Sequence, residues 1–406
     1  MTIGVGGQTQ AQALASLHDM TAGAEPIALD EYRQRIARAQ QRMQALGIAA
    51  MYLHAGSSLT YFTGLQWRPS ERLVGAILPS RGEVQFIAPW FELGTIREFM
   101  QLDGPLHSWH EHESPYQLLA AVLRSVLPSA GGGVLALDES TPFFTVDGIA
   151  KSCAATELVN ASIVTSWCRM HKSAAELALM QRAKDMTLAV QQATASMLYA
   201  GIGTGEVQAF IQQAHRQVGA SGSTFCIVLF GEATAYPHGV RHAQTLKDGD
   251  MVLIDTGCAL HGYLSDITRS YVFGTPSARQ RQVWNAEKTA QAAAFAAAQL
   301  GTPCGEVDRA ARRQLEADGF GPGYAMPGLP HRTGHGIGLD IHEWPYLVSS
   351  DQTPLAAGMC FSNEPMICVP GEFGVRLEDH FYMSDAGPRW FTQPSHSIDD
   401  PFGLGG

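Results

Sequence analysis

The apolar run Met251-Val252-Leu253-Ile254 leads straight into Asp255. A chain that buries this run as a strand must bury a carboxylate with it or give that carboxylate a partner. Eleven residues later Asp266 lies among the strand-forming residues of GYLSDITRSYVF, with Gly262 between the two acids for a chain reversal. A hairpin across that reversal brings the carboxylates together. Side by side and out of water they repel, and one must take up a proton unless a cation joins them. Singly, either aspartate reads as a turn former or cap; as a pair at buried strand ends they restrict the folds available.

The arrangement recurs further on. Glu364 lies in MCFSNEPMICV and Glu378 in FGVRLEDHF, fourteen residues apart, with Pro370-Gly371 as turn chemistry between two apolar strands. Either alone also reads as an exposed strand charge paired with Arg376 or a lysine. Between the two acid pairs comes HRTGHGIGLDIHEWP, residues 331–345, where glycine on both sides of His335 disfavours a helix. The set Asp255, Asp266, His335, Glu364 and Glu378 is rich in oxygen with one imidazole, a combination suited to divalent Mn, Co, Fe or Zn. Four carboxylates carry four negative charges, which two divalent ions neutralise and one does not. The segment IHEWP is not the H-E-x-x-H of a zinc-protease helix, because Pro345 follows and no second histidine stands at the required spacing.

At 406 residues the chain exceeds one ordinary core, so two domains are expected. The first half alternates helix and strand signals. DEYRQRIARAQQRMQALG has apolar residues at helical spacing and stops at Gly47, and IAAMYLH, LVGAILP, VQFIAP and GVLALD read as short strands. An α/β domain is expected over 28–165, after a flexible arm over 1–27 that packs on a neighbour. A long helix follows, opened by a capping box of Ser173 and Glu176 and closed by Gly201. From there helices gather against the strands TFCIVLFG, DMVLIDTG and those around the histidine stretch, which reads as an α+β domain over 166–395, with a tail over 396–406. The 27 basic and 38 acidic residues give a net charge of −11 without any basic run, which argues against nucleic-acid or anionic-membrane binding. No stretch approaches the apolar length of a membrane span. Seven scattered cysteines without a C-x-x-C pair, and no signal peptide, lead us to expect a cytoplasmic protein.

The blocks DTGCALHGYLSDITRSY, GHGIGLDIHEWP, SNEP and VRLED closely resemble the metal-binding blocks of the pita-bread metallopeptidases, family M24. That family includes methionine aminopeptidases, aminopeptidase P, prolidases and creatinase. The resemblance covers most of residues 170–385, and SSLTYFTGL in the first half resembles a recurrent segment of the prolidase amino-terminal domain. It implies a pita-bread catalytic domain preceded by a creatinase-type α/β domain. By the same resemblance, Asp255 binds a first metal, His335 and Glu364 bind a second, and Asp266 and Glu378 bridge both. Glu364 is also implied as general base, His238 in ATAYPHGV as stabiliser of the tetrahedral intermediate, and His342 as a substrate contact; His331 receives no role. Two divalent ions are implied, manganese first and zinc, cobalt or iron as alternatives. So is a homodimer in which the amino-terminal domain reaches over the partner's active site, where Trp67 or Tyr61 could help close the pocket, although a place in the core is the stronger expectation for Tyr61.

Within the family, the large first half argues against methionine aminopeptidase, and the complete ligand set argues against creatinase and against non-enzymatic relatives. The short Glu364–Glu378 spacing favours prolidases. The expected activity is hydrolysis of Xaa-Pro dipeptides by a hydroxide held between two metals. The alternatives are aminopeptidase P action on longer peptides, or a metal-dependent lyase or C–N hydrolase acting on a small non-peptide. Two positions depart from the pattern. Cys368 stands where many relatives have tyrosine, and Tyr346 where some prolidases have arginine. Four residues of strand place Cys368 about 13 Å from Glu364, so its short thiol is expected to be neither ligand nor nucleophile.

Overall fold

The computed structural model describes residues 1–127 and 133–405, which form two compact units. One unit spans 27–169. Its strands are β1 (Ile48–His54), β2 (Gly75–Pro79), β3 (Gln85–Pro89), β4 (Leu106–Trp109), β5 (Gly133–Leu137) and β6 (Thr156–Asn160), in the sheet order β4-β3-β2-β1-β5-β6. Pairing is antiparallel in β1–β2 and β2–β3 and parallel elsewhere. Such strands lie between helices, and they read as nearly continuous apolar runs because both faces are covered. Tyr52, Ile77, Ile87, Leu119, Leu135 and Ile149 make the core. The unit ends beyond residue 165 because helix Ser162–Arg169 belongs to it: Val164 and Cys168 are buried, and Arg38 donates to the Cys168 carbonyl at 2.6 Å. Tyr61 is a core residue here, 1% exposed, with its hydroxyl donating to that same carbonyl at 3.0 Å.

The other unit joins residues 1–26 to 170–406. Residues 1–26, expected as a loose arm against a neighbour, are instead held by their own chain. Thr2 N–H bonds the Gly274 carbonyl at 2.9 Å, Gly6 N–H bonds that of Ala195 at 2.8 Å, and Met20 N–H bonds that of Val218 at 3.0 Å. A capping box of Thr9 and Gln12 starts helix Gln10–Ala15, which buries Ala13. A few apolar residues, Val5, Ala13 and Leu17, suffice to anchor an otherwise polar segment.

Four long helices, Ala174–Ser196, Thr204–Gln217, Ala278–Ala297 and Cys304–Ala317, pack around the strands of this unit. The first has the expected capping box, Ser173 Oγ accepting from Glu176 N–H at 3.2 Å, but it ends at Ser196, before Gly201. The strands are β7 (Phe225–Phe230), β8 (Met251–Gly257), β9 (Ala259–Leu260), β10 (Tyr263–Leu264), β11 (Ile267–Val272), β12 (Gly334–Gly336), β13 (Glu343–Leu347), β14 (Cys360–Asn363), β15 (Met366–Val369), β16 (Phe373–Arg376), β17 (Asp379–Ser384) and β18 (Gly387–Trp390). They form an antiparallel sheet β11-β8-β7, a five-stranded sheet β13-β12-β14-β17-β18, and the hairpins β9–β10 and β15–β16. No helix among the described residues is long and apolar enough to cross a membrane.

Candidate metal centre

The two expected hairpins exist, and their registers put each acid pair on one face. β8 and β11 pair with Asp255 opposite Thr268 and Thr256 opposite Ile267. One step further, Gly257 falls opposite Asp266. Since Gly257 is two residues from Asp255, both aspartates leave the ladder on the same side. The close approach there requires glycine, because a Cβ on Gly257 would lie 1.8 Å from the Ser265 carbonyl oxygen.

Glu364 and Glu378 lie at a break in their ladder. β15–β16 pairs Met366 with Arg376, and β14–β17 pairs Asn363 with Asp379 in continuing register. Between these pairs the glutamate amides turn to other segments: Glu364 N–H bonds the Thr333 carbonyl at 2.9 Å, and Glu378 N–H bonds that of Thr268 in β11 at 3.1 Å. The break lets both carboxylates face the aspartates. His335 enters from β12, where a Cβ on Gly334 would lie 2.1 Å from the Ser362 oxygen, so the strand approaches closely only through glycine.

Each hairpin is also clamped by a buried glutamine that sequence reasoning passed over. Gln191 donates to the carbonyls of Ile254 and Ile267 at 3.0 and 2.8 Å, one residue from Asp255 and Asp266. Gln291 donates to those of Asn363 and Leu377 at 3.3 and 3.0 Å, one residue from Glu364 and Glu378. A glutamine in a long helix reads as a side chain turned to water; only its tertiary position makes it a brace.

All five residues, with His238, His342 and Arg376, line one cavity of about 430 Å³. Ligand atoms of Asp266, His335 and Glu378 lie within 4.8 Å of one another. The Asp255 Oδ2 atom lies 2.5 Å from Arg376 Nη2, and Glu364 Oε1 lies 3.1 Å from His335 Nε2. The latter oxygen also accepts from Ser362 at 3.1 Å. His342 meets His335 edge-on at 4.2 Å between ring centroids.

The electrostatics follow from crowding acids out of water. Burial pushes the Asp266 carboxyl well above its usual range, and the charges of Glu378, Asp255 and Glu364 push it further. Glu378 is raised by burial and then by Glu364 and Asp255. Burial acts on Glu364 in the same sense, but the hydrogen bond and charge of His335, with the charges of His331 and Arg376, together hold that carboxyl low. His342 is pushed down to about 4 by loss of water and then by His335 and Arg332. Arg376, which could have paired an exposed strand glutamate, instead neutralises Asp255 inside the cavity. With every group ionised the cluster therefore carries −4 + 1 = −3, and two divalent ions would leave +1 for an anion to balance.

The residues fit divalent cations. Asp255 Oδ1, Asp266 Oδ1 and Glu378 Oε1 are buried without a hydrogen-bond partner. A bare buried carboxylate oxygen is costly, and an ion meets that need. His335 Nδ1 sits 3.0 Å from the Gly336 carbonyl, which only accepts. In the neutral ring that contact keeps the hydrogen on Nδ1 and leaves Nε2 as the atom able to bind an ion.

Other neighbours were not foreseen. Glu343 accepts from the amides of Leu339 and Asp340 at 2.9 and 3.1 Å and from Lys172 Nζ at 2.8 Å. It thereby shapes the loop that carries His342. His331, given no role above, keeps a buried Nε2 without a partner. Cys368 is buried opposite Gly374, outside the cavity lining, and burial pushes its thiol up to about 12.

Residues 178–385 match the description "Metallopeptidase family M24", and residues 35–171 match "Creatinase/Prolidase N-terminal domain". The chain belongs to metallopeptidase family M24. It is 31% identical over 370 residues to a Mycobacterium tuberculosis protein named "Probable dipeptidase PepE", covering 90% of this chain and 95% of that one. The solved structure of dipeptidase PepE from Mycobacterium ulcerans superposes with a TM-score of 0.85 at 32% identity, over 92% of this chain and 99% of the other. Recombinant prolidase from Thermococcus sibiricus gives 0.81 at 30% identity, over 89% and 97%. As an M24 member the protein is a peptidase that uses divalent metal ions.

Proposed function

We propose that the protein is a dipeptidase that hydrolyses Xaa-Pro dipeptides with two divalent ions held by Asp255, Asp266, His335, Glu364 and Glu378. The observation that carries the reading is the single cavity in which four carboxylates, one imidazole and three unpartnered carboxylate oxygens converge. The names of the relatives, dipeptidase and prolidase, support the substrate class. Asp255 would hold one ion and His335 and Glu364 the other, with Asp266 and Glu378 shared between them. When bound, such ions supply Lewis acidity toward a carbonyl oxygen and make water a competent nucleophile near neutral pH. Manganese is our first choice because the donors are mostly oxygen.

The chain's own groups account for the proton movements. Glu364 takes a proton from the attacking water as the C–O bond forms, and delivers it to the proline nitrogen as the C–N bond breaks. Ser362 Oγ donates to its Oε1 at 3.1 Å, which leaves Oε2 for that proton. His238, which lines the cavity, donates to the oxygen that gains charge, and His342 bears on the substrate beside His335. The test is a panel of Xaa-Pro dipeptides, Xaa-Pro-Xaa tripeptides and non-proline dipeptides, run with added Mn or Zn and after metal removal. Xaa-Pro dipeptides should turn over fastest, and only with metal. Full activity in metal-free protein, or equal turnover of tripeptides, would overturn the reading.

A further inference from the structure

Most cations around the catalytic cavity are committed. Arg376 bonds Asp255, Thr268 and the Pro237 carbonyl. Arg312 bonds Asp308 and the carbonyls of Gly323, Leu329 and His331. Arg332 differs. It is half-buried, and its guanidinium makes no hydrogen bond or ion pair with any described residue. Its central carbon instead lies 4.2 Å from the centroid of the Tyr346 ring.

That ring places the guanidinium. Tyr346 lies directly opposite His335 in the β12–β13 register, so the two side chains leave the sheet on one face. His342 packs against the same imidazole. Arg332, Tyr346, His335 and His342 therefore form a row that runs into the metal centre. Stacking fixes the plane of a guanidinium without using its N–H donors. A cation that has lost part of its water, with all its donors free, is suited to an anion.

The substrate supplies one. A dipeptide carries an ammonium at one end and a carboxylate at the other. The acid cluster attracts the first and repels the second. Only the scissile nitrogen and one carbon separate that carboxylate from the carbonyl under attack, so its cation must stand beside the catalytic cavity. We propose that Arg332, held on Tyr346, binds the α-carboxylate of the residue after the scissile bond and so selects free dipeptides over longer or C-terminally blocked peptides. The proposal rests on the dipeptidase reading above. The competing cation is Arg241, which is exposed in an adjoining cavity of about 380 Å³ that shares Ile227 and His238 with the first.

The experiment compares an Xaa-Pro dipeptide with its C-terminal amide, reading kcat and KM separately. The proteins are the wild type, Arg332→Met, Arg332→Lys, Tyr346→Leu and Arg241→Met. The wild type should favour the free acid about ten- to a hundred-fold in kcat/KM, the usual worth of a charge-assisted hydrogen bond. Arg332→Met should erase that preference through KM, Arg332→Lys should restore part of it, and Tyr346→Leu should weaken it. Arg241→Met should keep it. If Arg332→Met does not fold, as judged by melting and metal content, the lysine and Tyr346→Leu variants decide the matter. Preference that survives loss of Arg332 or of its platform, or that disappears in Arg241→Met instead, overturns the assignment to Arg332 while the dipeptidase reading stands. A wild type that cleaves neither form of any dipeptide sinks the dipeptidase reading, and this inference with it.

Discussion

Replacing Asp266 by asparagine should move stability in opposite directions with and without metal. Ligand atoms of Asp266 and Glu378 lie within 4.8 Å, and both carboxyls are buried and raised. Two like charges at that distance repel by about 3.5 kcal/mol at an effective dielectric constant of 20. Proton uptake relieves part of this in the metal-free protein, so Asp266→Asn should stabilise that form by about 1–3 kcal/mol, a rise of about 2–6 °C in melting temperature for a unit of this size. With metal the sign reverses. Two ions, each at a hundred times its dissociation constant, stabilise the wild type by about 5 kcal/mol in all. Asparagine in the proposed bridging position should forfeit most of that gain. The assay is thermal melting of both proteins in chelator and in excess manganese, with elemental analysis of the metal-loaded samples. A variant that melts lower by the same amount in both conditions, or that keeps two metal equivalents, would refute the argument: Asp266 would then be a structural acid and not a bridge.

Three further outcomes follow from particular residues. His215 is fully buried between Thr187 and Ser223, and burial lowers its pKa to about 4. Below the ordinary histidine pKa near 6.5 the unfolded chain takes up the proton first, so the stability held above that pH is lost as pH falls toward 4, about 2 kcal/mol of it by pH 5; denaturant melts of His215→Gln should show a drop between pH 7 and pH 5 smaller by that amount, and an unchanged drop counts against the reasoning. Gln191→Leu leaves the carbonyls of Ile254 and Ile267 without their side-chain donor, which should cost about 1–3 kcal/mol for each group left unsatisfied and also weaken metal binding; lower stability with unchanged metal affinity in a titration would show that the clamp does not position the aspartates. Cys368→Ser should keep two metal equivalents and most activity, because the neutral, buried thiol lies outside the cavity lining; loss of one equivalent from the folded variant would show that the thiol is a ligand.

The strands, the main helices and the acid pairs were legible because their signals are local. An apolar run ending on a carboxylate, a capping box at Ser173, or Pro370-Gly371 between two strands says what neighbouring residues must do whatever the rest of the chain does. Hairpin spacing then carries the pairing of Asp255 with Asp266 and of Glu364 with Glu378, since register follows from chain length across a turn. What stayed hidden depends on residues far apart in the chain. Arg376 reads as an ordinary partner for a surface glutamate until folding sets it on Asp255, 121 residues away, and changes the charge of the whole cluster. Gln191 and Gln291 read as exposed helix polarity until each meets the two carbonyls it braces. The first 26 residues read as a loose arm because composition alone does not reveal that Gly274, Ala195 and Val218 offer carbonyls for their amides. The sequence by itself determined which chemistry was available and in what chain order, because residue type and turn length are properties of the chain. Only the tertiary structure decided which charges face one another, because electrostatic coupling depends on distance through space and on the water that folding removes.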